Sequence, residues 1–129
     1  MSRFTEPLVV TPLPDGRTWI LLCDFGYEVG QEGSNDVIDV PIGFHTDFAS
    51  IPRIFWIFLP RWGKYGNAAV IHDYLYWEQS RSRKEADDIL LESMAVQEVG
   101  LIKRYLIYWS VRLWGWWSWW ENQSLRSKQ

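Results

Sequence analysis

The chain has 129 residues, of which 47% are hydrophobic, and a formal net charge of −3. This length suits one domain, and the hydrophobic content excludes a disordered chain. A single cysteine excludes an internal disulfide framework. We therefore predict one domain over residues 1–129, mainly β over 1–45 and mainly α over 52–120, with a tail over 121–129.

Short strands are predicted in the first third of the chain. Runs rich in β-branched and aromatic residues occur at Leu8–Val10, Thr18–Val29 and Val37–Ile42. Turn residues such as Pro14-Asp15-Gly16 separate them. This alternation predicts a small antiparallel sheet of two or three strands. Cys23 lies within the second run, so we expect its side chain to be buried in a strand.

Helix caps and helix breakers divide the rest of the chain into three or four helices. Asn67 is the expected N-cap of a helix that ends near Glu78, and Ser80 or Ser82 is the expected N-cap of the next. Gly100 ends that helix, and a further helix begins after it. A short helix over 53–59 precedes them. Strands followed by helices predict an α+β fold, with the sheet packed on a bundle of three to four helices.

A histidine and two aspartates are the best candidates for chemistry. His72 and Tyr76 share one face of their predicted helix, whereas Asp73 projects about 100° away. The next helix follows closely, so antiparallel packing would bring Asp87 opposite His72. A carboxylate that is bonded to one imidazole nitrogen leaves the other nitrogen able to act as a base. The spacing therefore predicts His72 and Asp87 as a catalytic pair.

Asp73 is the candidate metal ligand. Together with Asp47 and loop carbonyls it could supply the oxygen ligands that calcium accepts. Ser50 and Arg53 follow Asp47 in the connector before the helices, and we expect them to line the site with Tyr76. Structural alternatives stay open for each residue, because a helical His-Asp cluster can be a hydrogen-bond network and Asp47 can be an N-cap.

Asp87 also has an alternative that the sequence leaves open, because it could cap its own helix or pair with Arg81 or Arg83. The surroundings of His72 distinguish a catalytic cluster from a structural one. A cleft that reaches solvent beside His72 would favour an enzyme. A buried and fully hydrogen-bonded His72 would favour a structural cluster.

Six stretches of the chain carry a resemblance to a known family. They are Val40-Pro41-Ile42-Gly43-Phe44, Thr46-Asp47-Phe48-Ala49-Ser50-Ile51-Pro52-Arg53, the loop from Trp62 to Gly66, Ala68 to Tyr76, Ser82-Arg83 with Ala86-Asp87, and Val111-Arg112 with Gly115. They resemble an uncharacterised family of phage and prophage proteins called domain of unknown function 1353. The resemblance implies a phage or prophage source, without an established activity. The N-terminus lacks the apolar core of a signal peptide, so we expect the host cytoplasm or the virion as the location.

The segment His72-Asp73-Tyr74-Leu75-Tyr76 is similar to the His-Asp-x-x-Tyr helix motif of phospholipase A2. In prokaryotic members a basic stretch, an Asp, an apolar residue and a Met follow, and Arg83, Asp87, Leu90 and Met94 stand in that order. This resemblance implies that His72 is a general base for water and that Asp87 orients it. It also implies that Asp73 binds calcium, which would polarise the ester carbonyl. Residues 43–50 would have to replace the glycine-rich calcium loop.

Tryptophan is concentrated near the end of the chain. Six of the ten tryptophans lie between Trp109 and Trp120, close to Lys103, Arg104 and Arg112. Such a segment could dock on an anionic membrane surface or bind a phage or host protein. The apolar run that contains it is shorter than the roughly 20 residues of a membrane span, so no transmembrane helix is expected. No basic stripe indicates a nucleic-acid partner.

Two functional hypotheses follow from these patterns. The first is a phage or prophage accessory enzyme, a calcium-assisted ester hydrolase with a mechanism like that of phospholipase A2. The second is a non-catalytic phage tail, assembly or host-interaction protein in which the His and Asp residues are structural.

Overall fold

The computed structural model describes residues 3–5, 7–16, 18–30, 33–46 and 64–127. The chain divides into two compact units, residues 1–47 and residues 48–129. All described strands belong to the first unit and all described helices to the second, which confirms the predicted α+β class. Three predicted site residues, Asp47, Ser50 and Arg53, lie outside the described residues, as does the predicted helix over 53–59.

The first unit contains two antiparallel sheets of three strands, where one sheet was predicted. The first sheet has the order β1-β4-β5, with β1 at Arg3–Phe4, β4 at Phe25–Glu28 and β5 at Val37–Val40. The second has the order β2-β3-β6, with β2 at Val10–Pro12, β3 at Trp19–Leu21 and β6 at His45–Thr46. The difference arises because the predicted strand Thr18–Val29 is interrupted. Residues 22–24 leave the strand, so its two halves enter different sheets.

Alternation along the strands creates the apolar face of the first sheet. Phe25, Tyr27, Ile38 and Val40 are buried, and Tyr27 pairs with Ile38 across the sheet. The residues between the buried positions of β5 are exposed, as expected for a strand with one covered face. Cys23 is exposed, so its predicted burial is wrong. The reason is that it lies in the interruption between β3 and β4.

The described part of the second unit consists of three helices, α1 at Lys64–Glu78, α2 at Arg83–Val96 and α3 at Leu101–Ser127. Ser82 is the N-cap of α2, and its hydroxyl accepts a hydrogen bond from the Glu85 amide at 3.1 Å. The predicted N-cap Asn67 is wrong, because α1 begins three residues earlier. The segment from 121 was predicted as a tail, but α3 continues through it to Ser127.

Short turns keep consecutive helices adjacent, and each helix packs against the other two. Gln79, directly after α1, and Glu98, two residues after the end of α2, adopt positive φ angles of 55° and 60°, a conformation that ends helices. α1 is buried on nearly all sides, with residues 68–73 each at most 8% exposed. Apolar side chains of all three helices form the core, including Ile71, Leu75, Leu90, Met94, Ile107 and Val111. None of the described helices combines the length and the apolar character needed to cross a membrane.

Candidate functional site

Asp87 lies at the centre of a buried polar cluster that joins the three helices. The side chains of Asp87, His72 and Tyr76 are all 0% exposed. Asp87 Oδ1 lies 2.7 Å from His72 Nε2 and accepts a hydrogen bond from Tyr76 Oη at 2.7 Å. Asp87 Oδ2 accepts a hydrogen bond from Arg112 Nη1 at 2.9 Å and lies 3.5 Å from Arg83 Nη1. One carboxylate therefore binds donors from α1, α2 and α3.

Helix periodicity explains how each element supplies its part of the cluster. His72 and Tyr76 are four residues apart on α1, so both side chains lie on one face, with their rings 4.3 Å apart. Arg83 and Asp87 have the same spacing on α2. Asp87 is one turn inside α2, and the Ser82 cap fixes where that helix begins. The second half of α1 thus meets the first half of α2, as expected for an antiparallel helical hairpin.

The charge states of the cluster follow from its hydrogen bonds. Burial alone would raise the pKa of Asp87, but hydrogen bonds from His72, Tyr76 and Arg112, with the positive charge that His72 carries when it is protonated, outweigh burial and lower the pKa below 3.8. Burial and the charge of Asp87 raise the pKa of Tyr76 well above 10. Asp87 is therefore ionised and Tyr76 neutral at pH 7. Because a carboxylate only accepts hydrogen bonds, the proton of a neutral His72 resides on Nε2.

Gly115 allows α3 to approach the cluster closely. A Cβ at this position would lie 2.5 Å from Tyr76 Oη and 3.3 Å from Arg83 Nη1. One turn later, the Trp119 ring packs edge-on against Tyr76 with the ring centres 5.2 Å apart. Gln79 Nε2 donates a hydrogen bond to the Trp119 carbonyl at 2.9 Å. These two contacts hold the end of α1 against α3 next to Tyr76.

A second polar group connects α2 and α3 beside the cluster. Tyr108 Oη donates a hydrogen bond to Asp88 Oδ1 at 2.6 Å, and Lys84 Nζ lies 2.7 Å from Asp88 Oδ2. Burial and the charge of Asp88 raise the pKa of Tyr108 to about 12. The Asp88 side chain is 44% exposed, so its ion pair contributes little to stability. Asp87 and its neighbour Asp88 are therefore chemically alike but differ sharply in burial.

The structure brings together His72, Asp87 and Tyr76, as their spacing suggests, while their chemical roles stay predictions. Asp73 is 8% exposed and follows His72 on α1. Among the residues that the structure describes, no group of three or more His, Cys, Asp or Glu side chains could hold a metal ion. Asp47 cannot be compared with Asp73, since it lies outside the described ranges. Calcium binding through Asp73 therefore also stays a prediction.

Arg112 belongs to the cluster but was not predicted as a site residue. It comes 25 residues after Asp87, and helix periodicity alone does not show which side of α3 faces α2. A signal was present, because Arg112 is the only charged residue in the run from Leu106 to Trp120. A charged side chain in such a run is a candidate partner for a buried carboxylate.

Comparison with known proteins identified a family of unknown function and an uncharacterized relative. A family model described as a protein of unknown function (DUF1353) matches residues 19–111. A relative, the uncharacterized protein y4jT of Sinorhizobium fredii (strain NBRC 101917 / NGR234), is 36% identical over 78 residues. The matched region covers 59% of this chain and 23% of that protein, so the chain spans under a quarter of its length. No solved structure matches.

Proposed function

We propose that this chain, which belongs to the DUF1353 family, is an ester hydrolase in which His72 acts as the general base. Asp87 is the residue that positions His72. The supporting observation is the 2.7 Å contact between His72 Nε2 and an ionised, buried Asp87. The likeness of residues 72–76 to the phospholipase A2 helix makes phospholipid esters the substrate class to test.

The proposed proton transfer uses the second nitrogen of the imidazole ring. With the proton of neutral His72 on Nε2, the lone pair resides on Nδ1. Nδ1 takes a proton from water while the water oxygen forms a bond to the acyl carbon. The ester C–O bond then breaks, and the same proton passes from His72 to the leaving alkoxide. Asp87 stabilises the imidazolium between these steps.

Tyr76 and Arg112 act on this chemistry through Asp87. Both donate hydrogen bonds to its carboxylate, one to each oxygen, so Asp87 stays ionised and fixed in orientation. If bound, calcium at Asp73 would supply a Lewis acid for the ester carbonyl. Calcium dependence is a separate prediction from the role of His72, since the proton transfer involves only His72 and Asp87.

The burial of the cluster favours a second candidate function. His72, Tyr76 and Asp87 are 0% exposed, so a substrate can reach Nδ1 only after a local opening of the structure around His72. In a non-catalytic phage tail, assembly or host-interaction protein, the same contacts would simply hold three helices in register. That function needs no opening.

Fatty acid release from mixed anionic liposomes, with calcium or with a chelator, distinguishes the two functions. We expect release by the wild type and a loss of at least about 100-fold in His72→Asn, the usual contribution of a general base. Asp88→Asn is the matched control, since it removes a neighbouring carboxylate outside the cluster, and its rate should equal that of the wild type. Circular dichroism establishes that all three proteins are folded.

Two outcomes contradict the hydrolase. Equal rates for wild type and His72→Asn would eliminate His72 as the base. Absence of release by a folded wild type, under both conditions and also with a soluble short-chain ester, would favour the structural role. A rate that is unaffected by the chelator would contradict only the calcium dependence and not the role of His72.

A further inference from the structure

α3 carries an uncharged apolar stripe on the side away from its buried residues. Ile107, Val111 and Gly115 of this helix are buried. Several large apolar side chains of α3 are exposed, and six of them, each 54–77% exposed, follow one line along the other side of the helix. They are Ile102, Leu106, Trp109, Leu113, Trp116 and Trp120, which we call the α3 stripe. An apolar stripe of this size is unusual on the surface of a monomer.

The spacing along the α3 stripe is that of a helix which pairs with another helix. Successive members are separated by four, three, four, three and four residues, which averages close to the 3.5-residue repeat of coiled coils. At 100° and 1.5 Å per residue, the stripe is about 80° wide and about 27 Å long. Every position of the repeat over this length is a large apolar residue. The pattern therefore favours a second helix as the occupant.

The charges near the stripe are poorly placed to attract an anionic membrane. Of the three bases between residues 101 and 120, Arg112 is bound to Asp87 and Arg104 donates to the Val99 carbonyl at 3.4 Å. Of these three, only Lys103 is exposed. Binding of an amphipathic helix to anionic lipid relies on a basic polar face. A protein surface therefore suits the stripe better than lipid headgroups.

The order of residues in the stripe is complementary to itself when reversed. In an antiparallel pair, Ile102 would meet the partner's Trp120, Leu106 the partner's Trp116, and Trp109 the partner's Leu113. Each layer would then combine one aliphatic residue with one tryptophan, which equalises the volume along the pair. A parallel pair would instead stack tryptophan on tryptophan in three layers and aliphatic residues in the other three. Only the antiparallel order fills all layers evenly.

We propose that α3 binds α3 of a second copy of this chain, antiparallel, through the α3 stripe. The arrangement has two-fold symmetry, so both copies use the same surface. Arg112 would approach its symmetry mate, but Asp87 already neutralises its charge. Lys103 would lie near the partner's Trp117, where a cation–π contact is favourable. One helix pair is a small interface, so we expect a Kd on the order of micromolar.

Sedimentation equilibrium at several protein concentrations around that Kd tests the association. We expect wild type to change from monomer to dimer, and Trp116→Glu to stay monomeric at every concentration. Trp114→Glu is the matched control, because Trp114 is 63% exposed on the same helix but about 120° away from the centre of the stripe. It should dimerise like wild type. Leu113→Lys replaces Trp116→Glu if circular dichroism shows that the latter is unfolded.

Oxidative cross-linking in a Cys23→Ser background tests the direction. Leu106→Cys combined with Trp116→Cys should give a disulfide-linked dimer, whereas Leu106→Cys alone should not. The reverse result, a cross-link through Leu106→Cys alone, would show a parallel pair and overturn the antiparallel arrangement. A wild type that is monomeric at every concentration but binds phosphatidylglycerol vesicles would overturn the proposal in favour of a lipid surface. A wild-type protein that is monomeric and does not bind the vesicles would also overturn the proposal.

Discussion

Asp87 is a buried carboxylate whose two oxygens both have strong partners. An ionised group in a protein interior costs several kcal/mol unless hydrogen bonds and opposite charges compensate it. Here His72 and Tyr76 bind one oxygen, and Arg112 binds the other at 2.9 Å. Such a group contributes little net stability when complete, but it penalises any arrangement of helices in which a partner is missing. Its role in the fold is therefore to select one register among the three helices.

Removal of the Asp87 charge should destabilise the protein strongly. In Asp87→Asn, Arg112 and Arg83 lose their counter-ion while both remain mostly buried, at 23% and 21% exposure. Loss of one partner from a buried ion pair costs about 3 kcal/mol. The free energy of unfolding, measured by urea denaturation, should fall by that amount. In the half-exposed control Asp88→Asn it should fall by less than about 1 kcal/mol, and equal losses would contradict the central role of Asp87.

The lowered pKa of Asp87 predicts acid sensitivity. Its pKa is below 3.8 in the folded state, and the unfolded chain has the ordinary value, so the ionised carboxylate stabilises the fold above about pH 4. This contribution is lost as the pH falls through the folded-state pKa. Urea denaturation of wild type between pH 5 and pH 2.5 should show decreasing stability. Asp87→Asn should show a shallower decrease, and parallel curves would contradict the assignment.

The sequence was sufficient to pair His72 with Asp87, but not to find Arg112. The first pair depends on helix phase and on one short turn, and both of these are local properties of the chain. Arg112 reaches Asp87 only through the packing of α3 against α2, which depends on the shapes of many side chains. Cys23 illustrates the same limit, because an apolar run does not reveal that the chain turns within it.

At the scale of the elements, α3 has two different faces with different consequences. Its inner face has a glycine where α1 and α3 approach each other, and its outer face has the α3 stripe. The helix could be predicted from the spacing of the tryptophans, but the side that faces α1 and α2 could not. Its length could not, because residues 121–127 contain little apolar periodicity and nevertheless continue the helix. The start of α1 was missed for a related reason, since a helix that is buried all round shows no amphipathic boundary.

Gly115→Ala should lower stability, although alanine favours helices over glycine by about 1 kcal/mol. The added methyl group would lie 2.5 Å from Tyr76 Oη, so Tyr76 must move away from Asp87 or α3 must move away from α1. Overpacking of this kind costs about 1–3 kcal/mol. Thermal denaturation should therefore show a lower melting temperature.

Gly100→Ala is the control for this substitution, because a Cβ at that position meets nothing within 4 Å. Its melting temperature should stay close to that of wild type. A Gly115→Ala protein that is as stable as wild type would mean that α3 can shift without disturbing the cluster.

At the scale of the whole molecule, the cluster belongs to one of the two units. Among the described residues, the hydrogen-bond and ion-pair partners of Asp87 lie between residues 72 and 112, within the unit of residues 48–129. The change from strands to helices could be predicted from composition, since Thr18–Ile42 is rich in β-formers and the later segments carry helix caps. The division of the strands into two sheets could not, because the interruption at residues 22–24 has no glycine or proline to mark it.

A fragment of residues 48–129 should fold without the first unit and retain the cluster. We expect a cooperative urea transition, and Asp87→Asn should destabilise the fragment by about 3 kcal/mol, as in the full chain. The reason is that the described partners of Asp87 all lie within the fragment. A fragment that lacks a cooperative transition, or in which Asp87→Asn has no effect, would show that the first unit is required.

The contacts of Asp87 also bear on the order in which the chain is made. α1 and α2 leave the ribosome before Arg112, so at that stage the carboxylate has His72, Tyr76 and Arg83 but not its 2.9 Å partner on α3. A hairpin of α1 and α2 that closed at that stage would bury a charge with incomplete compensation, which is unfavourable. The hairpin should therefore stay loosely associated until α3 emerges. α3, which is synthesised after α1 and α2, then supplies Arg112 and completes the compensation of the Asp87 charge.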